Sequence, residues 1–216
     1  MQDFTSVTGM IIKAVPIGEY DRRLVLLTKE RGKISAFARG ARKPNSRFVA
    51  ATNLFCFGTF KLYQGRDSYT LAEAEITNYF EELRMDFEGA YYGMYFLEIA
   101  DYYTRENNDE REMLKLLYQS LRALSVPSLS HKLVRYIYEL KAVIVNGEFP
   151  GIPADNNYLP ATEYTVDYIV NSSIEKLYTL TVTDEVLAEL KTIAEKICKL
   201  CLSPHFRSLE ILNTLE

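Results

Sequence analysis

Apolar and polar residues alternate along the first eighty positions, then change period. Residues 7–15 read as a first strand, closed by Pro16 and Gly18. Leu24-Val25-Leu26-Leu27 and the run from Lys33 to Arg39 predict a second and third strand, joined like a hairpin at Glu30-Arg31-Gly32. Residues 53–63 form an aromatic-rich fourth run, in which Gly58 marks a bulge or sharp bend. Gln64-Gly65-Arg66-Asp67 is a turn, and residues 68–76 alternate as a fifth strand. Five strands with no helical period predict a small barrel, best matched by the five-stranded, partly open oligonucleotide/oligosaccharide-binding (OB) type.

From residue 83 the period is helical. Residues 84–105 are apolar on most sides, as in a central helix covered by others. Met113, Leu116, Leu117, Ser120, Leu121 and Leu124 mark a second helix. Leu133, Ile137, Leu140 and Ile144 mark a third, stopped near Asn146-Gly147. Residues 148–165 carry three prolines (Pro150, Pro153, Pro160) and are expected to be irregular, within a Pro-rich insertion at about 146–180. A short strand pair is expected around residues 166–170 and 177–182. Thr183-Asp184 caps a fourth helix bearing Val186, Leu190, Ile193, Ile197 and Cys201, and Ser203-Pro204 starts a last one through Leu212. The expected fold is therefore an all-β domain (1–82) followed by an all-α domain (83–216).

Charge sharpens this division. Residues 1–80 hold 12 Lys+Arg against 7 Asp+Glu, net +5; the remaining 13 and 22 give net −9, and the two sum to −4. The basic excess is concentrated between Arg22 and Arg47, where nine cations face one acid, Glu30. Arg22, Arg23, Lys33, Arg39, Arg42, Lys43 and Arg47 are the candidate contacts to a polyanion, on a strand face that runs into a loop. Asp21 is expected to pair with Arg22 or Arg23. Phe37, Phe48, Tyr63 and Tyr69 are candidate stacking platforms for bases, although strand aromatics more often pack inward. The longest charge-free run, Phe48 to Phe60, has 13 residues, short of the roughly 18 that a membrane span needs. With no cationic, apolar leader and only three cysteines, the expected location is cytoplasmic, and nucleoid-associated if the basic stretch binds DNA.

Candidate catalytic chemistry is sparse. His131 and His205 are the only histidines, and no nucleophile elbow, phosphate loop or His-Glu-x-x-His occurs. Asp67, Glu73 and Glu75 are the carboxylates from which a metal-dependent nuclease could be built, against the simpler reading of a polar sheet face. Cys198 and Cys201 would supply half a tetrahedral zinc site, against the simpler reading of small residues on an apolar helix face. No cofactor or metal is expected, and no enzymatic activity.

Val7-Thr8-Gly9, Ile11-Ile12-Lys13 and Gly18-Glu19-Tyr20-Asp21-Arg22-Arg23-Leu24 resemble the opening of the RecO family. So do Leu27-Thr28-Lys29-Glu30-Arg31-Gly32-Lys33 and Ala38-Arg39-Gly40-Ala41-Arg42-Lys43, and the resemblance continues to His205-Phe206-Arg207-Ser208-Leu209-Glu210-Ile211-Leu212. The resemblance implies an N-terminal OB barrel, a helical domain and no catalytic residue. It also implies binding of single- and double-stranded DNA, strand annealing, and work with RecR. The acidic tail of single-stranded-DNA-binding protein is a further implied partner, and RecA an indirect one. For such a tail the expected groove comprises Tyr91, Tyr95, Tyr102, Leu133 and Ile137, steered by Lys132, Arg135 or Lys141. Many members carry a four-cysteine zinc module where this chain has residues 146–180, which contain neither Cys nor His. The expectation is that Tyr158, Leu159, Tyr164, Tyr168 and Ile169 pack there instead. The alternative function is a protein-interaction adaptor whose barrel does not bind nucleic acid.

Overall fold

The computed structural model describes residues 4–65, 68–154, 157–202 and 205–215. Five strands form: β1 (Phe4–Ile17), β2 (Asp21–Thr28), β3 (Gly32–Ala38), β4 (Phe57–Gln64) and β5 (Tyr69–Asn78). They close into a barrel in the order β1-β2-β3-β5-β4, with β1 also paired to β4. All pairings are antiparallel except β3–β5, a parallel contact between Ala36↔Tyr69 and Phe37↔Thr70. Alternate side chains fill the interior, among them Leu24, Leu26, Ile34, Phe60, Leu62 and Leu71.

Three register shifts interrupt the pairing, one between β1 and β2 and two between β4 and β5. Ile11 and Ile12 are both buried, and the β1–β2 register shifts between Ile11 and Lys13, so that Lys13 emerges exposed. At Gly58 the β4–β5 register shifts again, and a Cβ there would lie 2.1 Å from the Glu75 carbonyl oxygen. Only glycine permits that approach. The fourth strand starts later than the aromatic run does. A short helix, α1 (Phe48–Ala51), comes first, and Phe55 turns the chain with φ 71°.

The chain divides into two compact units, Met1–Glu81 with Leu97–Leu114, and Glu82–Phe96 with Lys115–Glu216. The first therefore holds more than the barrel. Beside the β2–β3 hairpin, the Lys33 N–H donates to the Arg105 carbonyl and the Asn107 N–H to that of Arg31, both at 3.0 Å. Gly32, with φ +63°, forms a bridge with Glu106 there, and its missing Cβ would meet the Arg105 carbonyl oxygen at 2.3 Å.

Helices follow: α2 (Glu81–Met85), α3 (Phe87–Tyr103), α4 (Arg111–Leu124), α5 (His131–Val145), α6 (Pro160–Asn171), α7 (Asp184–Cys201) and α8 (Arg207–Leu215). The expected central helix over 84–105 is broken after Met85, and the Asp86 carbonyl accepts the Ala90 N–H as α3 begins. In the second unit α5 is the buried centre. Its Ser130 cap accepts the Leu133 N–H, Tyr138 stacks on Phe96 with ring centroids 4.2 Å apart, and the helix packs on α6 and α7. Thr183 caps α7 as the sequence predicts. The Ser203-Pro204 start signal lies outside the described residues.

The expected strand pair at 166–170 and 177–182 is not there. Residues 160–171 are α6, followed by a 3-10 helix, Ile174–Thr179. Pro160 sits in the first turn, and Thr162, Thr165, Val166 and Ile169 are buried at helical spacing, so the β-branched composition misled the strand reading. The irregular stretch correspondingly ends at Leu159. The packing expected in place of a zinc module is also different. Ile169 is buried with Val166, Ile174 and Leu177, while Leu159 and Tyr164 are exposed and Tyr158 and Tyr168 only half-buried.

Candidate nucleic-acid interface

The turn between β1 and β2 and the loop after β3 are bound together. Gly40 N–H donates to Asp21 Oδ1 at 2.7 Å, Arg42 N–H donates to the Tyr20 carbonyl at 2.8 Å, and Arg42 Nη1 reaches the Gly18 carbonyl at 3.3 Å. Lys43 Nζ lies 5.6 Å from the centre of the Tyr20 ring. Asp21 therefore holds the loop.

The seven sequence-predicted cations separate into two groups. Arg22 is a structural tie, its Nη1 donating to the Thr52 carbonyl, Thr52 Oγ1 and Asn53 Oδ1 at 2.9, 2.9 and 3.0 Å. Lys33 lies half-buried against Asp101. Arg23, Arg39, Arg42, Lys43 and Arg47 are exposed, and none of the five is paired with a carboxylate among the described residues. Arg39, Arg42 and Lys43 share the joined loops. Arg47 turns toward β5, with Nη2 donating to the Ala72 carbonyl and the guanidinium 4.9 Å above the Phe48 ring.

Arg23 faces a groove of about 670 Å³ over the outer side of β2 and β3, which Lys33, Phe37, Tyr69, Asp101 and Glu106 also border. This is the strand face on which OB barrels take oligonucleotides. Of the expected stacking platforms, Phe37 is half-exposed in this groove and Tyr69 only 7% exposed. Tyr63 is occupied by Phe4, ring centres 4.1 Å apart, and Phe48 lies under Arg47. Three participants were missed by sequence reasoning: Lys13, Tyr20 and Asp101. The consecutive Ile11-Ile12 that breaks the alternation was the available signal for Lys13. Asp101 lies 68 residues from Lys33 and had none.

The remaining candidates carry no clustered chemistry. Glu73 pairs with Lys61 at 3.5 Å, and Asp67 lies outside the described residues. No group of three His, Cys, Asp or Glu side chains suited to a metal ion occurs among the described residues. The zinc module's donor set is absent from 146–180, and that span does not fit the metal. Cys198 is half-buried beside Arg135 and Glu139 of α5, and desolvation pushes its thiol well above the ordinary value. No helix among the described residues is long and apolar enough to cross a membrane.

In the helical unit Tyr91, Tyr95, Lys132, Arg135 and Ile137, all expected at the partner groove, do not share one face. Tyr95, Arg135 and Ile137 are buried, Tyr91 is half-buried beside Phe87, and Lys132 is exposed. Arg135 Nε and the Tyr95 hydroxyl both donate to Glu139 Oε1, at 2.9 and 2.8 Å. Lys141 is committed to the carbonyls of Ile169, Val170 and Ser172, at 2.8, 3.0 and 2.9 Å. A cleft of about 290 Å³ opens instead beside Tyr95, Arg135, Lys199, Leu202 and Phe206.

Two family models match this chain, described as Recombination protein O N terminal over residues 1–80 and Recombination protein O C terminal over residues 84–150. The chain belongs to the RecO family. It is 27% identical over 246 residues to the DNA repair protein RecO of Acetivibrio thermocellus, covering 99% of this chain and 98% of that one. To the RecO of Clostridium perfringens strain 13 it is 28% identical over 240 residues, 96% and 97% of the two chains. To that of Symbiobacterium thermophilum it is 35% identical over 149 residues, 69% of this chain and 59% of the other. RecO proteins are non-enzymatic mediators of DNA repair and recombination.

Proposed function

We propose that this chain binds single- and double-stranded DNA through the exposed cations of β2 and of the loop after β3, anneals complementary strands, and hands coated single strands to a recombinase. The observation that carries the reading is the set Arg23, Arg39, Arg42, Lys43 and Arg47, solvent-facing and unmatched by carboxylates among the described residues. Such cations hold phosphates without reading bases, so binding is tolerant of sequence and weakens as salt rises. Phe37 supplies a stacking surface for unpaired bases beside Arg23. RecR, single-stranded-DNA-binding protein and, through them, RecA are the partners this role requires. The acidic, Phe-ended tail of single-stranded-DNA-binding protein is assigned to the cleft at Lys199 and Phe206, in place of the groove expected from sequence.

Fluorescence anisotropy of a labelled single strand across a salt series tests the DNA reading. The triple variant R42E/K43E/R47E is expected to lose at least about tenfold in affinity and to flatten the log–log salt slope by roughly 2, three phosphates at about 0.7 each. An unchanged slope places the site elsewhere. A wild-type chain that fails to retain the oligonucleotide at low salt favours the adaptor reading.

A further inference from the structure

Lys13 and Lys33 come from different strands, β1 and β3, and converge on one carboxylate. Asp101 Oδ2 accepts from Lys13 Nζ at 2.6 Å, and Oδ1 from Lys33 Nζ at 3.1 Å. Lys33 Nζ also donates to the Asp101 backbone carbonyl at 2.6 Å, one of the carbonyls left open where α3 ends. Asp101 and Lys33 border the groove on the outer face of β2 and β3, with Arg23 and Phe37 on the same face. Burial works to raise the Asp101 carboxyl, yet the two lysine hydrogen bonds outweigh it and hold the group below its ordinary value. A carboxylate that bridges two ammonium groups with separate oxygens carries the same single charge, and offers the same two acceptor oxygens, as a phosphodiester between those cations.

We propose that Asp101 is an internal competitor for the phosphate of a nucleic acid strand, occupying the Lys13–Lys33 site until a strand displaces it. This rests on the DNA reading above and goes beyond it by naming what restrains that face. Exchange of carboxylate for phosphate leaves the charge at the two lysines nearly unchanged. The groove therefore takes a strand only where further contacts, at Arg23 and Phe37, favour the exchange. With the carboxylate removed, Lys33 keeps its bond to the Asp101 main-chain carbonyl, so the anchor at the end of α3 survives while both ammonium groups gain capacity for phosphate.

The test uses the full chain with D101N, and anisotropy of a labelled single strand across a salt series. Affinity is expected to rise on the order of threefold to tenfold, and the salt slope to steepen by about 0.7, the value for one added phosphate. Both gains are expected to vanish in D101N/K13A/K33A. E75Q, which neutralises an exposed carboxylate on β5, is the control for bulk charge. An equal gain in E75Q, or a gain that persists without the lysines, overturns the proposal. Wild-type protein with 15N-lysine gives a second readout that needs no folded variant: the Lys13 and Lys33 ammonium signals shift on adding the oligonucleotide, and static signals at saturation overturn the proposal. If R42E/K43E/R47E weakens binding while D101N matches wild type in affinity and slope, this inference alone fails. If wild type binds no strand at all, the DNA reading fails first.

Discussion

Glu139 shows how a single buried charge shapes this molecule. The residue is 2% exposed, Arg135 and Tyr95 share its Oε1, and its Oε2 has no hydrogen-bond partner among the described residues. Burial pushes its carboxyl above the usual 4.5, with the Arg135 charge and the hydrogen bonds from Arg135 and Tyr95 pulling the other way. The folded chain therefore holds this proton to higher pH than the unfolded chain does. Its contribution to stability is present below the ordinary carboxyl value and lost as pH rises through the raised one. Urea denaturation of E139Q beside wild type, from pH 4 to pH 8, is expected to show wild type losing ground to the variant as pH rises. Removing the cation alone is worse. R135M strands the carboxylate in the interior and should cost about 3–5 kcal/mol, while R135M with E139L recovers most of the loss. Gly58 makes the same point through sterics, because a methyl at that position meets backbone at 2.1 Å. G58A is expected to lose about 2–4 kcal/mol in the same assay, well beyond a typical surface substitution. Gly58 was legible as a bulge because a glycine inside an aromatic strand gives up side-chain packing in return for a close backbone approach. No such mark attaches to the Arg135–Glu139 pair, which reads as an ordinary exposed i,i+4 ion pair until the packing of α7 and α8 beside it is known.

At the scale of elements, α6 is the most informative. Its first turn has no side-chain cap of its own, and Glu189 from α7 takes the Leu159 N–H and the Thr162 hydroxyl. Its last turn gives three carbonyls to the Lys141 ammonium. Acid at the start and cation at the end are the arrangement a helix dipole favours; α6 brings Glu163 to its own first turn, and the neighbouring helices add Glu189 and Lys141. This is why the segment was misread as strands. The groups that settle its conformation lie about 30 residues away in the chain, and local propensity was the only signal in reach. K141M leaves three partly buried carbonyls without a donor and is expected to cost about 2–3 kcal/mol. Hydrogen exchange should show the amides of residues 163–171 losing protection first. The barrel strands, by contrast, were legible because each carries its own two-residue period, and the basic loop because its charges are adjacent in sequence. Which of those charges face solvent unpaired was not legible: Arg22 and Lys33 look like Arg23 and Arg39 until Thr52 and Asp101 are placed.

On the scale of the whole molecule, the unit containing the barrel is discontinuous in sequence. Residues 97–114 belong with it, through Asp101 on the two lysines and the hydrogen bonds from Lys33 to Arg105 and from Asn107 to Arg31. A fragment ending at residue 82, the boundary that hydrophobic periodicity indicates, lacks these ties. It is expected to melt cooperatively but well below the barrel of the intact chain, with the β2–β3 hairpin exchanging fastest; equal protection in fragment and full chain would contradict this. The two hydrophobic periods located where strand gives way to helix, which is a different question from where one folding unit gives way to the next.

The bridge between Gly32 and Glu106 also has a temporal consequence. A ribosome finishes the fifth strand at Asn78, yet the segment that seals the hairpin is not complete until Asn107 has been added. At about 5–20 residues per second, that leaves an interval on the order of seconds in which the nascent barrel stands with its hairpin unsealed. Chaperone occupancy on stalled nascent chains should therefore peak within this interval and fall once residue 107 clears the exit tunnel.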